Sequence, residues 1–378
     1  MNVSYWDQCS FLEEQDLIII GSGIVGLQSA IHLKQKFPLL KISILERGSI
    51  PWGASTRNAG FACFGSLTEL ISDVETQGWD KTLSLVEKRY KGLQALRNQL
   101  GDFSIGFQEC GGFEVFKEKD QTSFEAAAEK IHLYNTTLSQ IISSTSNFNL
   151  NHSKVKKSGL NFKWAIENKA EGLLHTGKMM QQLLQLSRQL QIQIYNGIEV
   201  NHIEEKETLI HIQSSSLHFK TKKILFCTNG FSHTLLPNYD IQAARNQVLI
   251  TEPISNLDLN GGFHYDEGYI YFRNVDSRIL LGGGRNHFPQ TEYTAVMENT
   301  EELKTYLQEF LFENIIPNHK EVKIAGFWSG ILGIGKTKEP IVERKCKNQY
   351  IATRMGGMGV ALGILTGQEA AELISLDL

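Results

Sequence analysis

Cysteine is scarce: the five residues (Cys9, Cys63, Cys110, Cys227, Cys346) are widely scattered, odd in number and form no CxxC pair. That argues against a disulfide framework and for free thiols in a reducing compartment; no metal site is expected. Long apolar runs are missing too. None reaches the roughly 18 residues that a membrane span needs. The polar, acidic N-terminus lacks the basic start and apolar core of a signal peptide. Neither sign of charge dominates, with 37 Lys+Arg against 41 Asp+Glu and a net charge of −4, so neither nucleic acid nor an anionic membrane surface is implied as a partner. Internal repeats and low-complexity tracts are absent. What remains is 41% hydrophobic and 21% charged, the balance of an ordinary globular protein, and 378 residues suffice for two domains. The expected location is cytoplasmic.

Against that plain background, Asp16 to Arg47 stands out: DLIIIGSGIVGLQSAIHLKQKFPLLKISILER. Leu17–Ile20 is all apolar, as suits a parallel strand buried on both faces. It runs directly into Gly21-Ser22-Gly23-Ile24-Val25-Gly26 and then into an apolar helical pattern. Gly21 permits the tight turn, Gly23 lets a pyrophosphate approach the backbone, and Gly26 lets the helix pack on the strand. The helix N-terminus supplies N–H groups and the positive dipole end for phosphates. A second strand, Lys41–Leu45, ends at Glu46, placed about 20 residues beyond Gly26, where an acid can bind the hydroxyls of an adenosine ribose. Strand, turn, helix and acid agree on dinucleotide binding.

The rest of the chain holds weaker signals. After Glu46 and Arg47 comes a loop, with small Gly53, Ala54, Ala59 and Gly60 leaving room for something bulky near the backbone. Its Ser55, Arg57 and Asn58 can serve a second part of the same cofactor. Tyr5, Trp6 and Phe11 are expected to pack on the first domain. Trp79–Leu100 reads as an amphipathic helix, and Ile105–Phe116 as strands turning at Gly111-Gly112. Asn135–Lys157 reads as a weak helix followed by surface loop. Lys178–Leu190 is helical, with Met179 and Met180 as core filler. Strands follow at Gln191–Tyr195 and Lys223–Cys227, with a hairpin over Glu199–Phe219. The turn Thr228-Asn229-Gly230 either approaches the dinucleotide or is a plain strand exit. In Tyr269-Ile270-Tyr271-Phe272-Arg273, alternation puts Tyr269, Tyr271 and Arg273 on one face. They form either a wall for a polar ligand or the outside of a half-exposed sheet. Finally, the strand Tyr350–Thr353 leads into Met355-Gly356-Gly357-Met358-Gly359, a glycine-dense helix start and so another anion-binding site.

Together these motifs resemble the FAD-dependent D-amino-acid oxidase, glycine oxidase and sarcosine oxidase superfamily over almost the whole length. The matching stretches, in order, are DLIIIGSGIVGLQSA, LERG with GASTRNAG, ILFCTNGFSHTLLP, RNQVLITEP, YIYFRNVDSRILLGGGR, WSG and YIATRMGGMGVALG. The GASTRNAG and YIYFRNVDSRILLGG stretches look most like the gamma-glutamylputrescine oxidase branch, whose members oxidise amines. The resemblance implies an α/β fold. Its Rossmann-like FAD-binding domain is assembled from residues 1–78, 172–240 and 325–378. An α+β substrate domain with a largely antiparallel sheet is made of residues 79–171 and 241–324. It implies FAD contacts from Gly21, Gly23–Gly26, Glu46, Arg47, Ala54, Ser55, Arg57–Gly60, Val200, Thr228–Gly230, Gly330 and Met355–Gly359. It also implies hydride transfer from a neutral amine to flavin N5, followed by imine hydrolysis, with oxygen or another acceptor taking the electrons.

Two departures from the family pattern matter. Glycine oxidase-like members carry a substrate-clamping arginine just after Trp-x-Gly, where this chain has Ile331-Leu332-Gly333. A simple amino-acid substrate is thereby in doubt, and Tyr269, Tyr271, Arg273 and Lys336 become the candidate substrate residues. Lys338 is a further cation that could take that place. No cysteine lies between Trp328 and Pro340 to tether a flavin, so FAD is expected to be noncovalent. A flavin dehydrogenase of a 2-hydroxy acid and a flavin-binding module without turnover are the alternative readings.

Overall fold

The computed structural model describes residues 3–317, 319 and 321–378. Two compact units emerge. One comprises Met1–Arg57, Thr176–Ala243 and Leu332–Leu378; the other comprises Asn58–His175 and Ala244–Ile331. The first boundary thus follows Arg57 rather than residue 78. The stretch after it pairs with the second unit's own chain, Phe61 opposite Leu173.

In the first unit, strand Gln15–Ile20 lies between the parallel strands His218–Phe226 and Ile42–Glu46. Gln193–Asn196 and Gln349–Thr353 extend the parallel set on either side. Leu17, Ile18 and Ile19 are fully buried, which is why the strand is continuously apolar from Leu17 to Ile20 rather than alternating. Val200–Lys206 and Leu209–Ser214 form the expected hairpin. The next strand begins at His218, well before Lys223, and pairs with that hairpin. Helices Ile24–Lys36 and Gly359–Ser375 lie against each other: a Cβ added to Gly363 would meet Ile24 at 2.5 Å.

The second unit is built on one large sheet. Its strands run in the order Ile324–Ile334, Gln242–Thr251, Arg278–Gly283, Ile270–Val275, Gly262–Tyr265, Gly112–Phe116, Trp164–Asn168 and Phe148–Leu150. The pairings are largely antiparallel, with Gly262–Tyr265 and Gly112–Phe116 joined in parallel. On one face Phe113, Phe263 and Phe272 stack, with centroids 5.4 and 4.9 Å apart, over Leu303, Leu307 and Phe310 of helix Glu301–Phe310.

Three expectations are corrected. Tyr5, Trp6 and Phe11 are 72%, 71% and 57% exposed, lying on and just after the short helix Tyr5–Ser10 that the Ser4 capping box starts. The segment around Gly111-Gly112 yields one strand, Gly112–Phe116, rather than two; residue 108 only bridges Leu173. Asn135–Lys157 is not mainly loop: it holds the end of helix Gln121–Leu138, strand Phe148–Leu150 and helix His152–Lys157.

Candidate active site

The first unit brings its glycine-rich turn, Glu46 and Ser55 together. Gly26 must lack a side chain, since a Cβ there would stand 2.1 Å from the Gly21 carbonyl oxygen. Ser55 Oγ accepts the Ile24 amide at 3.0 Å and so ties the following loop to the helix start. Glu46 is buried; its Oε2 accepts the Ser22 amide (3.1 Å) and hydroxyl (2.7 Å), and its Oε1 accepts the Gly48 amide (2.8 Å). Arg47 stacks on Phe231 at 4.2 Å, and Arg57 on Trp52 at 4.4 Å. Desolvation lowers the Arg57 pKa. Asn229, in the left-handed region at φ 43°, accepts the Met355 amide on its Oδ1 at 3.2 Å. The two turns that the sequence marks separately are therefore joined. Helix Gly359–Ser375 begins just beyond Met358 without a side-chain cap, and helix N-termini are ends of the kind that bind anions.

The second unit places Tyr271 and Arg273 on the sheet face opposite the phenylalanine stack, as alternation requires. That face is covered, not half-exposed: Arg273 is buried, and Tyr271 packs with Phe61, Val248 and Trp328. Arg273 Nη1 donates to the carbonyls of Ala59 (3.1 Å), Gly60 (3.0 Å) and Leu174 (2.8 Å), and burial lowers its pKa to about 10. This guanidinium holds the chain at three carbonyls. The Tyr271 ring lies across Gly282, where a Cβ would meet its hydroxyl at 2.7 Å, and burial pushes its pKa up to about 12. Its hydroxyl accepts Asn246 Nδ2 at 3.4 Å, while Asn246 Oδ1 is buried with no partner. Tyr269 precedes the strand and is 38% exposed, with the Arg285 guanidinium 4.9 Å above its ring. Gly330 is buried within strand Ile324–Ile334. Lys336 belongs to the first unit and is exposed; its backbone amide donates to Asp240.

Comparison with known proteins settles the class. The family model described as "FAD dependent oxidoreductase" matches residues 16–373. The chain belongs to the FAD-dependent oxidoreductase family. The probable oxidoreductase OrdL of Haemophilus influenzae is 23% identical over 385 residues, covering 97% of this chain and 84% of that protein. The gamma-glutamylputrescine oxidoreductase of Escherichia coli is also 23% identical, over 96% of this chain and 84% of its own. Glycine oxidase from Geobacillus kaustophilus has the same fold, with a TM-score of 0.77 at 15% identity, covering 97% of this chain and 95% of that one.

This FAD-dependent oxidoreductase has the donor set its cofactor calls for. The Gly21–Gly26 turn and the helix it opens suit the pyrophosphate. Of about four lone-pair positions on the Glu46 carboxylate, one on Oε1 is left for a ribose hydroxyl. Thr228 Oγ1 is within hydrogen-bond distance of Ser232 Oγ at 2.8 Å, so it shapes the turn as a strand exit would. Sequence reasoning missed Asn246 and Arg285. Both lie inside stretches of the family resemblance, RNQVLITEP and LLGGGR, but no sequence pattern marks Asn246 Oδ1 or Arg285 Nε as a buried atom without a hydrogen bond.

Proposed function

We propose that this enzyme oxidises a small primary or secondary amine, or an N-substituted amino acid, to an imine that water hydrolyses. When bound, FAD supplies the redox chemistry by accepting a hydride from the carbon beside the nitrogen. The chain's own part is to desolvate and orient the substrate. The observation that carries the reading is the Tyr271–Asn246 pair, whose Asn246 Oδ1 is a buried acceptor with no partner. Leaving such a group unsatisfied costs about 1–3 kcal/mol, which an amine N–H would relieve. The name of the Escherichia coli relative, gamma-glutamylputrescine oxidoreductase, points to the same class.

Tyr271 is the substrate contact in this reading. Arg273 positions the loop through Ala59 and Gly60. Arg285, whose Nε is buried without a partner and whose charge bears on Tyr271, takes an acidic tail at the rim beside Tyr269. Lys336 is assigned no contact, being exposed. Ile331, 1% exposed, stands where glycine oxidase-like relatives have their arginine, which disfavours a plain amino acid. The test is a screen of amines and N-substituted amino acids under air, with hydrogen peroxide as the signal. Asn246→Ala and Tyr271→Phe should each raise the KM of the best substrate roughly tenfold or more. Turnover of 2-hydroxy acids but no amine would overturn the proposal in favour of an alcohol dehydrogenase.

A further inference from the structure

We propose that Cys63, Glu171 and His264 form a buried divalent-metal site of the zinc type within the second unit. One ligand atom from each residue lies within 4.8 Å of the other two. The His264 Nε2 to Glu171 Oε2 separation is 3.2 Å. Two ligands at about 2.0–2.1 Å from a tetrahedral zinc stand about 3.3 Å apart, so this edge needs almost no movement. The three residues are 8%, 2% and 7% exposed. They come from separate parts of the unit: just after Phe61–Ala62, just before Gly172–Leu173, and in strand Gly262–Tyr265. Such dispersal is why no spacing motif appears in the sequence.

The place is built for a carboxylate. Glu171 Oε1 accepts the amides of Phe64 and Gly65, both at 3.3 Å, which fixes the group and leaves Oε2 toward His264. A side chain at residue 112 would close the space, since a Cβ on Gly112 would lie 2.0 Å from Glu171 Oε2. Thiolate, imidazole and carboxylate together suit a borderline-soft ion such as Zn²⁺ better than Mg²⁺ or Ca²⁺. Charge also balances. One thiolate and one carboxylate neutralise a dication, which a desolvated pocket requires. Binding releases the Cys63 thiol proton to solvent and leaves His264 neutral, its Nε2 lone pair on the metal. The fourth tetrahedral position belongs to a ligand from outside this set.

The test uses the flavin-loaded protein, incubated with ZnCl₂ and dialysed against metal-free buffer. Elemental analysis should find about one zinc per chain. Cys63→Ser and His264→Gln should fall below about a tenth of that while retaining FAD. Because either variant may lose its fold, X-ray absorption at the zinc edge is recorded on the unsubstituted protein. One sulfur scatterer at about 2.3 Å with nitrogen or oxygen at about 2.0–2.1 Å is expected. An unsubstituted protein that keeps no zinc, a zinc shell without sulfur, or a folded Cys63→Ser protein holding zinc like the parent overturns the site.

Discussion

Glu46 accepts three hydrogen bonds from its own chain, from Ser22 and Gly48, before any ligand is considered. Its replacement therefore has two separable consequences. Glu46→Ala should weaken FAD binding by roughly 1.5–3 kcal/mol, the worth of a charge-assisted bond, and should also lower the melting temperature of the FAD-free protein. Fluorescence titration of FAD reads the first and calorimetry of the apoprotein the second. An unchanged apoprotein melt would mean the Ser22 and Gly48 bonds are idle. Arg273 behaves alike: Arg273→Ala takes their donor from the buried Ala59 and Leu174 carbonyls, while Gly60 keeps the Leu174 amide, and should destabilise the unit by about 3 kcal/mol, measurable by denaturant unfolding. The face on which Arg273 sits is legible in the sequence from alternation alone. Its partners are not, because Ala59, Gly60 and Leu174 are brought to it by chain pairing distant in sequence. The same holds for Cys63, Glu171 and His264.

Among the elements, helix Trp79–Leu100 has the bounds the sequence predicts, since Gly78 and Gly101 at positive φ stop it at both ends. In its last turn, Arg97 forks onto Asp102 with bonds of 2.9 and 2.8 Å and also lies over the Phe107 ring. The Arg97 hydrogen bonds lower the Asp102 pKa. The sign is that of a depressed carboxylate: its stabilising share is present above the unfolded value near about 3.9 and is lost as pH falls through the lower folded value. Melting curves between neutral pH and about pH 3 should thus show a smaller acid loss in Asp102→Asn than in the parent. An equal loss in both proteins would remove the pair from the account. Strand Ile324–Ile334 is the element least legible: with Gly326, Gly330 and Gly333 it has no alternating pattern, and the sheet partner alone makes it a strand. Gly282 is a clearer case of sequence serving packing. Gly282→Ala should displace the Tyr271 ring and raise substrate KM roughly as Tyr271→Phe does.

At the level of the whole molecule, the first unit's three segments are legible because each carries a strand-turn-helix or strand-turn signature around Gly21, Asn229 and Gly357. Where they hand over to the second unit is less so: the handover at Arg57 falls inside the GASTRNAG loop, which has uniform composition on both sides. Fold and cofactor class follow from the family, and the substrate from the proposal above. The most direct test of that proposal is to mix the purified holoenzyme anaerobically with amines, N-substituted amino acids and 2-hydroxy acids in turn while following the flavin absorbance. The account predicts bleaching by an amine, strongest for one with an acidic tail, recovery on admitting an acceptor, and a yellow supernatant after acid precipitation, as the expectation of noncovalent FAD requires. Bleaching by a hydroxy acid alone, or by none of these compounds, would contradict it.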